Sequence, residues 1–169
     1  QANKIEECIE IIISANSNQP SLLHRPRNLQ PQIEWKLLIN PECHYYELKN
    51  KAASVAKGEI IIFVDSDVIP DNQWLTNILQ GFEDPRVMVS CGKAWIDHDS
   101  LYSKAFALFW FFPLKNKIGL IDRPKLQKVN HFFANNVAFQ RDLFLKYRFV
   151  SNEKASRGGC LLLAEKLME

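Results

Sequence analysis

Residues 10–14 (EIIIS) form a short β-branched apolar block that runs into Asn16, Ser17, Asn18 and Pro20. A block of this length flanked by turn formers predicts a buried parallel strand leaving into a turn. Ile5, Cys8, Ile9 and Ile12 also fall at helical spacing, and a helix through the segment is the competing reading. Pro20, Pro26 and Pro31 allow only short helical turns between residues 20 and 31. Residues 34–40 (EWKLLIN), closed by Pro41, predict a second strand. Across residues 46–57 (YELKNKAASVAK), Leu48, Ala52, Ala53 and Ala56 recur at helical intervals, and Gly58 stands where a helix C-cap belongs.

Residues 59–64 (EIIIFV) are apolar at every position after the first, which predicts a central strand covered on both faces. The strand ends in Asp65-Ser66-Asp67. Trp74, Leu75, Ile78, Leu79 and Phe82 then mark one side of an amphipathic helix that Asp84-Pro85 stops. Residues 86–91 predict another strand, 93–130 are irregular and aromatic-rich, 135–148 return to strand then helix, and 159–167 begin a last helix. Strands alternating with helices in this way specify an α/β fold, a mostly parallel sheet flanked by helices.

Composition fits one domain with a substantial core: 169 residues, 47% hydrophobic and 24% charged. The 21 basic and 19 acidic side chains are scattered, giving a net charge of +2 and no basic stripe, so no nucleic-acid partner is expected. Cys8, Cys43, Cys91 and Cys160 lie far apart without a CxxC pair, which argues for a reduced, cytoplasmic setting over a zinc site or disulfide framework. The longest apolar run, residues 105–114 (AFALFWFFPL), is half the roughly 20 residues that span a bilayer. It reads as core or as a wall of the acceptor side. A peripheral membrane contact is the alternative, although no Lys or Arg stands within the run.

Asp65 and Asp67 occupy the carboxyl end of the most apolar strand, the edge where open α/β sheets bind ligands. Two carboxylates one residue apart reach a single hard cation that also bridges the oxygens of a diphosphate. A DxD pair alone is a weak signal, because acidic residues in turns are more often solvated caps. The strand before it changes the weighing. Asp71 and Asn72 stand where they can cap the next helix. Trp74, at helical spacing with Leu75 and Ile78, reads as core, and His98 between Asp97 and Asp99 reads as a solvated loop residue.

The stretch AKGEIIIFVDSDVIPDNQWL resembles the heart of family 2 glycosyltransferases, whose fold is of the Rossmann-like GT-A type. YYELKNKAA is similar to that family's nucleotide-side helix, and the resemblance continues through FEDPRVMVSCGKAW and FFANNVAFQRDLF, covering residues 45–167. It implies transfer of a sugar from a nucleoside-diphosphate-sugar donor to a hydroxyl acceptor such as a saccharide or lipid, dependent on Mg2+ or Mn2+ and with inversion. Asp65 would lie near the ribose and metal, with Asp67 the principal metal ligand and Ser66 between them in the donor site. Lys49 and Asn50 would flank the nucleotide, Gly92 and Trp95 the sugar and acceptor cleft, and Asn135 and Asn136 the opposite wall. Residues 1–92 would form the nucleotide-binding part of one domain and 93–169 its acceptor side.

The chain departs from the family pattern in three places, one of them the carboxylate commonly found after the second strand to hold the base or ribose, which the Ser14-Ala15-Asn16 region replaces. The family opens with a strand and helix ahead of the strand read at residues 10–14, so the fold is expected to be N-terminally incomplete. Where the family often carries an acidic general base at the start of a late helix, this chain reads Arg157-Gly158-Gly159-Cys160. Glu153 and Asp97 are the candidate substitutes for that base, and Arg157 has the fixed charge to face the diphosphate. A truncated or catalytically inactive fragment is therefore the alternative reading.

Overall fold

The computed structural model describes residues 9–18, 30–92, 94, 100–102, 105, 128–151 and 158–169. Strand β1 (Glu10–Ala15) pairs in parallel with β2 (Glu34–Ile39), Ile11 opposite Trp35 and Ile13 opposite Leu37. The helical alternative for residues 10–14 is thereby excluded. A second sheet has the order β3 (Ile60–Val64), β5 (Asn136–Gln140), β4 (Val89–Cys91). β5 runs antiparallel to both neighbours, so β3 and β4 run parallel to each other with the antiparallel strand wedged between them. Among the described residues no strand pairs with β1 on the side away from β2, or with β3 on the side away from β5.

Helix α1 (Tyr45–Val55) starts where the His44 backbone N–H donates to the Glu47 carboxylate at 2.8 Å, which satisfies a free donor ahead of the first turn. Tyr46, Lys49 and Ala53 form its buried face. The helix ends before Gly58, contrary to the expected glycine cap, because Ala56 is already extended while its N–H bonds Ala53. The residues after it are claimed by β1. Glu10 Oε1 accepts the backbone N–H of both Lys57 and Gly58, and Oε2 accepts from Lys36 Nζ at 3.4 Å. Burial opposes ionisation of Glu10, but these donors together hold its carboxyl below the ordinary range.

Helix α2 (Trp74–Gln80) runs into a 3-10 turn, Gly81–Glu83, and stops at Asp84 as the pattern predicts. The following strand begins only at Val89, not at residue 86. Arg86 is held in a turn by the Asp84 carboxylate, which accepts both its backbone N–H and its guanidinium, the latter at 2.6 Å. Helix α3 (Arg141–Tyr147) follows β5 directly, and α4 (Gly159–Met168) is the last helix.

The core is an aromatic cluster under β3 and β5. Phe144 lies 4.8 Å from Phe63, 5.1 Å from Phe139 and 5.2 Å from Phe149 between ring centroids, and Tyr46 of α1 joins it 5.0 Å from Phe149. Tilted and edge-on rings at these separations gain packing energy beyond their buried area. Val137, Ala138 and Phe139 of β5 are wholly buried, so β5, and not β3, is the fully covered central strand. Gly159 lets α4 approach this cluster, since a Cβ there would come 2.7 Å from the Tyr46 ring.

Candidate functional site

β3 delivers its last residue, Val64, opposite Asn136, and the chain then turns, with the Val68 N–H bonded to Asp65 O at 3.1 Å. The turn leaves Asp65 half-buried and exposes Ser66 and Asp67. The Asp65 carboxylate is held at both oxygens by α1. Lys49 Nζ lies 2.5 Å from Oδ1, and Tyr45 Oη donates to Oδ2 at 2.7 Å. Tyr45 and Lys49 are one helical turn apart and therefore face the same way. The ammonium also sits 4.7 Å from the Tyr45 ring centroid and 5.5 Å from that of Phe63.

Lys49 is thus neither the solvated lysine of an exposed helix nor an isolated charge. Burial lowers its pKa below the ordinary lysine range, while Asp65 and, less strongly, Asp67 pull it back up. The influence of Asp67 puts that exposed carboxylate in the same electrostatic neighbourhood. Desolvation and the hydrogen bond to Asp65 raise the Tyr45 phenol well above its usual range, so it stays a donor. Sequence reasoning missed Tyr45. Its signal was a hydroxyl-bearing residue one turn ahead of a buried lysine, which is indistinguishable in sequence from a surface tyrosine.

Asn50 turns elsewhere. Its amide donates to Phe149 O at 2.9 Å and accepts the Phe149 N–H at 3.1 Å, a two-way clamp between α1 and the segment after α3. Asn50 also lines an open cleft of about 450 Å3 with Glu42, Glu47, Lys51 and Arg148, on a different face of α1 from Tyr45 and Lys49. Neither Asp65 nor Asp67 borders that cleft.

Beside the Asp65 turn, Asn136 is 4% exposed and accepts from Trp74 Nε1 at 2.8 Å through Oδ1. Trp74 is therefore half core and half support for this asparagine. The Gly92 N–H donates to Asn136 O at 3.2 Å, and a Cβ at Gly92 would meet Nδ2 and Oδ1 of Asn136 at 2.6 Å. Gly92 is needed for that contact. Asn135, the neighbour, has a buried Oδ1 with no hydrogen-bond partner. The structure thus gathers Asp65, Asp67, Lys49, Gly92 and Asn136 around the end of β3. Trp95, Asp97, Glu153, Arg157 and residues 106–114 lie outside the described residues.

A family model, glycosyl transferase family 2, matches residues 7–148 of the 169. The chain belongs to glycosyl transferase family 2. No curated protein matches it closely enough to count as a relative. The mixed α/β architecture is that of a GT-A-like glycosyltransferase domain. For a glycosyltransferase of this family the donor set at β3 suits a divalent cation: Asp67 offers an exposed hard oxygen ligand, while both oxygens of Asp65 are already engaged. Among the described residues no group of three or more His, Cys, Asp or Glu side chains is assembled as a metal cluster. No helix among the described residues is long and apolar enough to cross a membrane.

Proposed function

We propose that this glycosyltransferase moves a sugar from a nucleoside-diphosphate donor to a hydroxyl acceptor, with inversion, using Mg2+ or Mn2+ held at the Asp65-Ser66-Asp67 turn. The observation that carries the reading is the exposed Asp67 at the carboxyl end of β3, beside an Asp65 fixed by Lys49 and Tyr45. The cation, when bound, neutralises the charge that develops on the leaving diphosphate.

The protein's own part is positioning and proton transfer. Asp67 supplies the anionic ligand, and Lys49 sets a positive charge at the donor-side wall. The acceptor hydroxyl attacks the anomeric carbon as the bond to the diphosphate breaks, and its proton passes to a carboxylate, Glu153 or Asp97. Arg157 takes the diphosphate side. Asn136, opposite Val64 at the end of β3, supports an acceptor wall at residues 135 and 136. The free thiols of Cys43, Cys91 and Cys160 support a reducing, cytoplasmic setting, with residues 105–114 the segment for any membrane contact.

Calorimetric titration of UDP and GDP, with and without Mn2+, into the folded protein and its Asp67→Ala variant tests the reading. Metal-dependent binding that the substitution abolishes is the expected result. A folded wild type that binds neither nucleotide sinks it, and leaves a family member without donor binding.

A further inference from the structure

Arg148 follows α3 with φ 48° and ψ 162°, a backbone conformation that only glycine adopts without strain. Among the described residues the other positive φ belongs to a glycine, Gly158. Bonds on either side hold Arg148 there. Its own N–H donates to Phe144 O at 2.8 Å, and Asn50 clamps the N–H and O of Phe149. Arg148 Nε donates to Leu145 O at 3.1 Å, but one bond between exposed groups does not offset the strain. The terminal nitrogens of the guanidinium are left to the open cleft that Arg148 lines. Strain at the wall of a cleft points to a side chain with work to do there.

The cleft, at about 450 Å3, lies within the roughly 300–1,000 Å3 of small-ligand sites. Its walls set acceptors against donors. Glu42 and Glu47 accept, the second with one oxygen already taken by the His44 N–H. Lys51 and Arg148 donate, the first with one hydrogen on Asn40 Oδ1 at 3.1 Å. An anion drawn to the cations would meet the carboxylates, and a polyamine drawn to the carboxylates would meet the cations. Nor does the floor suit a lipid or a peptide anchored by apolar side chains, since Phe149 is 2% exposed and Cys43 7%. A hydroxyl both donates and accepts, so a row of hydroxyls satisfies both kinds of wall without adding charge.

We propose that this cleft is a carbohydrate site apart from the donor site, where Glu42, Glu47, Lys51 and Arg148 bind the hydroxyls of a neutral oligosaccharide. The Asn50 clamp fixes its floor by joining α1 to Phe149, so the site is in place before the sugar arrives. Neither Asp65 nor Asp67 borders the cleft, and the inference does not depend on how those residues act. In a glycosyltransferase such a site grips a sugar chain away from the point of transfer.

The test is titration of the 15N-labelled protein with three neutral trisaccharides, maltotriose, cellotriose and N,N′,N″-triacetylchitotriose, followed by amide chemical shifts. At least one of the three should move the amides of Lys51 and Ser151 and leave that of Asp67 in place. Arg148→Gly removes the guanidinium and is expected to fold, because glycine takes up this backbone freely. Glu42→Gln alters an exposed carboxylate and keeps its size. Each substitution should weaken trisaccharide binding by about tenfold, the loss of one charge-assisted hydrogen bond. Asp67→Ala should leave it unchanged. The inference is overturned if no trisaccharide moves the cleft amides, or if both cleft substitutions leave affinity as it was. It is equally overturned if Asp67→Ala abolishes the binding, which would put the sugar at the donor site. Metal-free pyrophosphate is the control for a plain anion site, and cleft shifts with pyrophosphate but with none of the sugars would also sink it.

Discussion

Replacing Asn50 by alanine removes both hydrogen bonds that join α1 to the backbone of Phe149. Phe149 is 2% exposed and belongs to the aromatic cluster, so its N–H and C=O have little access to replacement water. Leaving a buried backbone group unpaired costs about 1–3 kcal/mol. The clamp is partly buried, which puts each bond toward the lower end, and the pair together is worth about 2–3 kcal/mol. At a slope of about 2–4 °C per kcal/mol for a chain of this size, the midpoint of thermal unfolding should fall by roughly 4–12 °C. Far-UV circular dichroism on heating measures this. UDP titration of the same variant, well below its midpoint, measures the alternative role implied by the family resemblance. A variant with unchanged stability and lost nucleotide affinity would refute the clamp and make Asn50 a ligand. Lower stability with nucleotide affinity retained is what the geometry requires.

Gly92→Ala places a methyl group against the Asn136 amide, and overpacking of a buried contact costs about 1–3 kcal/mol, to be read from urea unfolding. Glu10 gives a pH dependence of definite sign. Its carboxyl is held below the ordinary 4.5, so its contribution is complete above pH 4.5 and is lost as the pH falls through the lower folded-state value. Glu10→Gln should be less stable than wild type at neutral pH, and the gap should close on acidification below pH 4.5. A constant gap across that window would count against the assignment.

The elements were legible where they are local. The β-branched runs at β1, β2 and β3 and the helical spacing of α1 and α2 carry their own period. Partners were not legible, because period says nothing about which strand lies alongside. EIIIFV reads as the central strand on apolarity alone, yet β5, with the more mixed NVAFQ, is the one with both edges paired and three residues wholly buried. Its antiparallel direction, wedged between parallel β3 and β4, has no signature in the spacing. At the site the two aspartates stand out because they end an apolar strand. Tyr45, and the diversion of Asn50 to Phe149, depend on which face of α1 meets which loop. That is settled only by packing across the fold.

β5 also bears on the order in which the molecule is made. The clamp between Asn50 and Phe149 joins residues 99 apart in sequence, and the Trp74 bond to Asn136 joins residues 62 apart. β3 and β4 have no edge in common and cannot form a sheet until the much later β5 arrives to fill the space between them. During synthesis, the aspartate turn emerges long before the strand that holds it in place. Contacts of such separation slow folding, because the loop entropy is lost before the contact is gained. Until then the apolar edge of β3 is open to other chains. Slow acquisition of structure, with aggregation competing in the interval, is therefore built into the strand order of this domain.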